Sequence, residues 1–106
     1  MKKPNAGTEP PRGFSVDFGP QWRRWARHRT EAELEELATR LGELQTSFGH
    51  PHRHAGLGVR RLEDNAFEFR LARGLRVIFL YHKPDILKLM MVGNHDDVRT
   101  WIRENL

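Results

Sequence analysis

Cysteine is absent from this chain of 106 residues. Without thiols the protein has no disulfides, no thiolate nucleophile, no cysteine-ligated zinc finger and no iron–sulfur cluster. A small secreted domain usually depends on disulfides because its core is small. We therefore expect the protein to work in a reducing cytoplasm.

Long hydrophobic runs are also missing, and no apolar run approaches the ~20 residues that a membrane-spanning helix needs. Lys2 and Lys3 are followed by polar residues and prolines, so we expect no signal peptide. The hydrophobic fraction of 38% is low but sufficient for one modest core. Residues 1–13, rich in Pro and Gly, are expected to form a flexible tail, and residues 14–106 a single domain.

The first half of the sequence predicts one strand and two helices. Apolar and polar residues alternate over 14–18, which predicts a short strand, and a short helix is expected over 21–29. Thr30 and Glu33 form a capping-box pattern that begins a second helix, which Gly49 ends. The apolar residues of this second helix recur every three or four positions, as in one buried stripe: Leu34, Leu37, Leu41, Leu44 and Phe48.

The second half of the sequence changes to a period of two, which is typical of strands. Three strands are predicted, over residues 67–71, 75–81 and 86–92. Asp96 or Asp97 is expected to cap a final helix. These elements predict an α+β domain, in which a small, mainly antiparallel sheet packs against an N-terminal helical pair and a C-terminal helix. The final helix is expected to bury Val98, Trp101 and Ile102.

The hydrophobic pattern predicts the register of one hairpin. A three-residue loop over 72–74, with Gly74 in the left-handed conformation, places six apolar side chains on one face. A two-residue loop would mix apolar and charged side chains, because a shift by one residue turns a strand over. The predicted pairs are Leu71 with Leu75, Phe69 with Val77, and Phe67 with Phe79.

The same register sets Arg70 directly opposite Arg76, with Glu68 on their face. Like charges that face each other destabilise a sheet, so their presence needs an explanation. In one interpretation Glu68 neutralises a solvated surface cluster. In the other, the two guanidinium groups hold an anion such as a phosphate. His95 follows the next strand and is a candidate general acid if it lies near that face.

Three segments resemble motifs of the RelE/ParE toxin superfamily: Phe67–Arg70, Leu75–Phe79 and Val92–Asp97. In that superfamily the first is an aromatic strand that ends in arginine. The second is a strand with arginine before aliphatic residues and an aromatic one. The third is a valine–glycine signature that precedes the last helix. The resemblance covers roughly residues 14–103, and the order and spacing of the three segments carry it.

This resemblance implies a RelE-like fold with a twisted sheet. It also implies a ribosome-dependent mRNA endonuclease that a cognate antitoxin holds inactive. Cleavage in this family uses the 2′-hydroxyl of the RNA to attack the adjacent phosphate. The resemblance then implies that Glu68 is the base, Arg70 and Arg76 are the phosphate clamp and His95 is the acid. Two alternatives stay open: a ParE-like toxin that binds DNA gyrase without nuclease activity, and a non-toxic RelE-fold module.

Basic residues concentrate in residues 19–29, which hold four Arg, two Trp and no acidic residue. We interpret the tryptophans as packing residues and the arginines as contacts to ribosomal RNA. The predicted helix over 30–48 has five Glu and one Arg, although the chain as a whole carries +4. A basic surface facing RNA and an acidic surface facing a protein fit this distribution. The predicted RNA-binding residues are Arg23, Arg24, Arg27 and Arg99, the last of which stands near the position of a late tyrosine in the family.

Three histidines, His50, His52 and His54, lie close together in a predicted loop. A metal needs three or four ligands in a fixed geometry, and loop histidines rarely supply that unaided. We therefore expect no metal and no cofactor, and these histidines are candidates for RNA contact instead.

Overall fold

The computed structural model describes residues 13–50 and 55–106. Most of the predicted tail (1–12) and two of the three loop histidines, His52 and His54, lie outside the described residues.

Five strands and three helices make up the described chain, with two short 3₁₀ turns at Ala55–Leu57 and Ala72–Gly74. The strands form one sheet in the order β1-β5-β4-β3-β2. All neighbouring pairs are antiparallel except β1 and β5, which run parallel. In chain order the elements are β1 (Ser15–Phe18), α1 (Trp22–Ala26), α2 (Glu31–Ser47), β2 (Arg60–Glu63), β3 (Ala66–Arg70), β4 (Arg76–His82), β5 (Ile86–Gly93) and α3 (His95–Asn105).

One face of the sheet, the apolar face, packs under α2. The capping box of α2 forms as predicted: the Thr30 hydroxyl accepts from the Glu33 backbone N–H, and the Glu33 carboxylate accepts from the Thr30 backbone N–H. Leu37 and Leu44 of α2 are buried in the core, whereas Leu34, predicted to be buried, is 39% exposed. This core also contains Phe48, Leu57, Phe69, Leu71, Leu75, Val77 and Phe79.

The predicted hairpin register is confirmed. Phe69 pairs with Val77 and Arg70 with Arg76 across β3 and β4. Beyond the last pair, the backbone N–H of Leu71 donates to the carbonyl of Leu75 at 2.8 Å. Both Gly74 and Arg73 adopt positive φ, so the turn uses two left-handed residues where one was predicted.

The opposite face of the sheet holds a smaller core beneath α3, in which Ile78 and Met91 meet Val98 and Trp101. The N-cap of α3 is Asn94, not Asp96 or Asp97 as the sequence predicted. The Asn94 side chain accepts a hydrogen bond from the Asp97 backbone N–H. The Asp97 carboxylate accepts one from the Asn94 backbone N–H, which completes a capping box. Asp97 therefore stabilises the helix start from inside the first turn.

Two further predictions about the elements are wrong. The sequence predicted three strands after the helices, but the structure has four, because β2 was missed. Helix α1 ends at Ala26 instead of Arg29, and His28 and Arg29 continue in a turn whose N–H groups bond three residues back. In the described part of the chain, no helix combines the length and apolar character that a bilayer crossing requires.

Candidate functional site

A pair of arginines stands at one end of the sheet. Arg70 is the last residue of β3 and Arg76 the first residue of β4, and the two are direct partners in the ladder. Direct partners in an antiparallel pair point to the same face of a sheet. The tight turn between the strands and the apolar face opposite hold this register, so two like charges are held side by side.

Glu68 lies on the same face, two residues before Arg70. Its side chain is 3% exposed, and its Oε2 accepts a hydrogen bond from an Nη atom of Arg76 at 3.3 Å. The same oxygen lies 3.2 Å from Nε of Arg60. The partner of Glu68 on β4 is Ile78, which belongs to the core under α3. A carboxylate is therefore buried at the edge of an apolar cluster, where only paired charges are tolerated.

The other carboxylate oxygen of Glu68, Oε1, is buried and has no hydrogen-bond partner among residues 13–50 and 55–106. A buried acceptor without a donor destabilises the folded state by about 1–3 kcal/mol. The sequence predicted Glu68 as a general base, and that role remains a prediction. The geometry shows a carboxylate with one oxygen engaged by two cations and the other closed to solvent.

Arg60 is the member of this charged cluster that the sequence interpretation missed. It is the first residue of β2, it pairs with Glu68, and its side chain is 64% exposed. β2 carries three charged residues among its four and a register irregularity between Arg61 and Glu63. Hydrophobic periodicity cannot reveal such a strand. The alternation of β3 places Glu68 on its charged face. That position was the one indication in the sequence that a cationic side chain lies beside Glu68 on a neighbouring strand.

Arg70 is exposed, and among the described residues no carboxylate lies within ion-pair distance of it. The aliphatic part of its side chain lies against Gly58, where a β-carbon would stand only 2.9 Å from Cδ of Arg70. Gly58 also has φ of +66°. The loop before β2 therefore needs glycine at this point, both for its backbone and to leave room for the arginine.

His95 is the first residue of α3 and is exposed. The topology brings it to the same end of the sheet, because Gly93, two residues earlier, is the ladder partner of Arg76. Within the described ranges, no hydrogen bond or ion pair joins His95 to Arg70 or Arg76. The structure thus brings Arg70, Arg76 and Glu68 together and places His95 at the same end of the sheet.

The predicted RNA-binding arginines Arg23, Arg24, Arg27 and Arg99 are all exposed. Arg23 and Arg24 line different clefts on α1: Arg23 shares one of about 580 Å³ with Phe18 and Trp22, and Arg24 lies in another. The nearby tryptophans Trp22 and Trp25 are partly buried against the main core.

We name the group Arg60, Glu68, Arg70 and Arg76 the charged end. Its one carboxylate pairs with Arg60 and Arg76, and Arg70 adds a third guanidinium group, so the group keeps positive charge after its internal pairing. Guanidinium groups bind oxyanions such as carboxylates and phosphates through paired N–H donors. Residues 13–50 and 55–106 contain no cluster of three or more His, Cys, Asp or Glu able to hold a metal ion.

Comparisons with known proteins agree with this geometry at the level of the fold. No family model matches the sequence, and no curated protein matches it. Among solved structures, a mutant of E. coli toxin RelE in the free state superimposes with a TM-score of 0.65 at 16% identity, over 89% of this chain and 99% of RelE. The RelB–RelE antitoxin–toxin complex from Methanococcus jannaschii gives a TM-score of 0.63 at 12% identity, over 81% of this chain and 98% of its match.

E. coli YafQ gives a TM-score of 0.57 at 14% identity, over 80% of this chain and 97% of YafQ. The predicted α+β architecture with a RelE-like fold is therefore confirmed.

Proposed function

We propose that this chain is the toxin of a type II toxin–antitoxin system and acts as a ribosome-dependent mRNA endonuclease. The observation that carries the proposal is the Arg70–Arg76 pair, held side by side at the end of a RelE-like sheet. One arginine is anchored by Glu68 and the other is unpaired within the described residues. An anion with at least two oxygens satisfies both guanidinium groups and removes their mutual repulsion.

The chemistry that suits this arrangement is attack of the RNA's own 2′-hydroxyl on the adjacent phosphorus. As the 2′-oxygen bonds to phosphorus, the 2′-hydroxyl loses its proton to solvent water and the phosphate gains negative charge in the transition state. The bond to the 5′-oxygen of the next nucleotide breaks, which leaves a 2′,3′-cyclic phosphate. Arg70 and Arg76 stabilise the added charge because they are fixed before the substrate arrives. His95 supplies the proton that the departing 5′-oxygen needs, from its place at the start of α3. This chemistry needs no metal ion.

For Glu68 we favour a positioning role over that of the general base. Its Oε2 pairs with Arg76 and Arg60, and its Oε1 is buried. A base must reach the proton that it removes, within about 3 Å or through one water. Glu68 instead holds the Arg76 guanidinium in the position from which it meets the phosphate.

The proposal includes a protein partner and a compartment. The structural neighbours include a RelB–RelE antitoxin–toxin complex and a complex of YafQ with DinJ. By analogy with these proteins, we propose that an antitoxin protein binds this chain and keeps it inactive in the cytoplasm. Helix α2, with five Glu and one Arg over residues 30–48, is the acidic surface suited to a protein contact. The basic arginines Arg23, Arg24, Arg27 and Arg99 are proposed to face ribosomal RNA.

The test is induction of wild type and Arg76→Ala in cells, followed by mapping of mRNA 5′ ends. We expect Arg76→Ala to lower cleavage by about 10²–10³-fold, as loss of one transition-state donor does, and to relieve growth arrest. Arg40→Ala is the matched control, since Arg40 lies on α2 and pairs with Glu43 at 3.7 Å, away from the charged end. Circular dichroism of both purified variants checks that each remains folded.

Three outcomes contradict the nuclease proposal or the site assigned to it. Full mRNA cleavage by the folded Arg76→Ala variant would contradict the assignment of Arg76 to the cleavage site. Growth arrest with intact mRNA and induced DNA damage would support the gyrase-binding alternative. Normal growth with the wild-type chain would support a non-toxic module.

A further inference from the structure

Arg70 and Arg76 are ladder partners, but they are held in different ways. An Nη atom of Arg76 donates to the Glu68 carboxylate at 3.3 Å, so one of its donors is already used. The guanidinium group of Arg70 has neither a hydrogen bond nor an ion pair within the described residues, and its side chain is exposed. A free arginine side chain loses about 2 kcal/mol of rotamer entropy when a ligand fixes it. A contact that orients Arg70 in advance therefore strengthens anion binding.

The side chain of Arg70 lies against a glycine on the side of β3 away from β4. Arg60 on β2 pairs with Glu68 on β3, and the same antiparallel register continued past the start of β2 sets Gly58 level with Arg70. A β-carbon on Gly58 would stand 2.9 Å from Cδ, 3.0 Å from Cγ and 3.2 Å from Nε of Arg70. The arginine stem therefore runs through space that the side chain of any other residue would fill.

The backbone on either side of Gly58 is anchored in the main core. Leu57 is 4% exposed and belongs to that core, and Val59 packs against it. Between them Gly58 has φ of +66°, a conformation that favours glycine. Because the loop is held by its neighbours and the Arg70 side chain is exposed, a side chain added at position 58 displaces the arginine instead of the loop.

We propose that Gly58 is a positioning residue, whose missing side chain orients the Arg70 guanidinium group for the phosphate of the bound RNA. The inference rests on the proposed function, in which Arg70 and Arg76 hold that phosphate. Packing against Gly58 restrains Arg70 through its aliphatic stem, so all of its N–H donors stay available to the anion. The two arginines are thus oriented by different contacts, Arg76 by the Glu68 carboxylate and Arg70 by the glycine.

The first measurement is the affinity of the purified protein for inorganic phosphate. The ¹⁵N signal of the Arg70 Nε–H group, assigned by its loss in Arg70→Ala, reports binding. We expect phosphate to shift this signal in the wild type. Gly58→Ala should bind phosphate about tenfold more weakly, since the displaced guanidinium group loses a hydrogen bond to a charged acceptor. Gly58→Asn carries the same β-carbon and tolerates positive φ better than alanine, so it replaces Gly58→Ala if that variant does not fold.

The second measurement is the rate of mRNA cleavage on purified ribosomes. We expect Gly58→Ala to lower this rate about 10–100-fold, because a small displacement of a catalytic group has an effect of that size. The loss should disappear in the Arg70→Ala background, since the glycine acts only through this arginine. Gly49→Ala is the matched control, because Gly49 has φ of +93° and a β-carbon there would meet nothing within 4 Å. We expect it to bind phosphate and cleave mRNA as the wild type does.

Two outcomes overturn the inference and leave the proposed function standing. In one, the folded Gly58 variants bind phosphate as tightly as the wild type. In the other, Gly58→Ala slows cleavage equally with and without Arg70, which assigns the loss to backbone strain. An Arg70 signal that phosphate leaves unshifted in the wild type also overturns the inference. If the wild type binds phosphate at Arg70 but leaves mRNA intact, the nuclease proposal is wrong, and the phosphate affinities decide the role of Gly58.

Discussion

The apolar face and the charged end share strands β3 and β4, but one consists of buried apolar side chains and the other of charged ones. On the apolar face, each residue from β3 and β4 is an apolar side chain packed under α2, with Phe69, Val77 and Phe79 fully buried. At the charged end, alternate residues of the same strands are Glu68, Arg70 and Arg76. The first arrangement stabilises the fold, and the second keeps like charges together against their repulsion. The register that the apolar face imposes is what makes the charged end possible.

The largest expected effect comes from breaking the apolar face. Phe69→Ala removes a fully buried ring and should lower the free energy of unfolding by about 3–5 kcal/mol. Urea denaturation followed by fluorescence measures this loss. Leu34→Ala, at a side chain that is 39% exposed on α2, is the control and should change stability far less. A loss below about 1 kcal/mol for Phe69→Ala would show that this face does not hold the register.

A smaller effect is expected from Glu68→Gln at the charged end. The amide keeps the shape of the side chain but removes the anion that Arg60 and Arg76 share. Because both arginines are partly exposed, solvent screens the charges that remain, and we expect a loss of about 1–3 kcal/mol. Urea denaturation again provides the measurement.

Glu68→Gln also separates positioning from base catalysis. If Glu68 positions Arg76, the variant lowers the cleavage rate by one factor across the pH range and leaves the shape of the pH profile unchanged. A profile that loses its acidic limb would contradict the positioning role and restore the general base predicted from the sequence.

The smallest effect is expected from Arg60→Gln. This side chain is 64% exposed, and exposed ion pairs contribute about 0–1 kcal/mol. Arg60→Gln keeps the hydrogen bond between Glu68 and Arg76. The ratio of its loss in free energy of unfolding to the loss for Glu68→Gln therefore shows which arginine holds the carboxylate. Equal losses in the two denaturation curves would contradict the assignment of Arg76 as the main partner.

The sequence predicted the features that depend on local spacing and missed those that depend on neighbouring elements. The hairpin register, the Thr30–Glu33 capping box and the Arg70–Arg76 pairing depend on local spacing and on apolar alternation, and these are visible in one sequence. β2 was missed because its residues are mostly charged and its pairing depends on the neighbouring strand. The cap of α3 was misassigned because Asn94, Asp96 and Asp97 all have side chains that cap helices, and only the backbone conformation distinguishes them.

For the candidate site, the sequence predicted which strand residues would be neighbours but not which groups would be satisfied. The burial of Glu68 depends on Ile78 and α3, which belong to other parts of the chain. Nε1 of Trp25 and Nε of Arg29 are buried without a partner in the described part of the chain, and no spacing in the sequence signals this.

The shortness of β1 has a consequence for the width of the basic surface. With only four residues, β1 stops beside Leu89 and leaves the last part of β5 to a helix. Had that strand continued to the level of Gly93, its backbone would occupy the place where α1 now delivers Arg24 and Arg29. A truncated edge strand thus leaves the end of β5 open to the segment that carries Arg24 and Arg29, and their positive charge stands beside Val92 where another strand would otherwise lie.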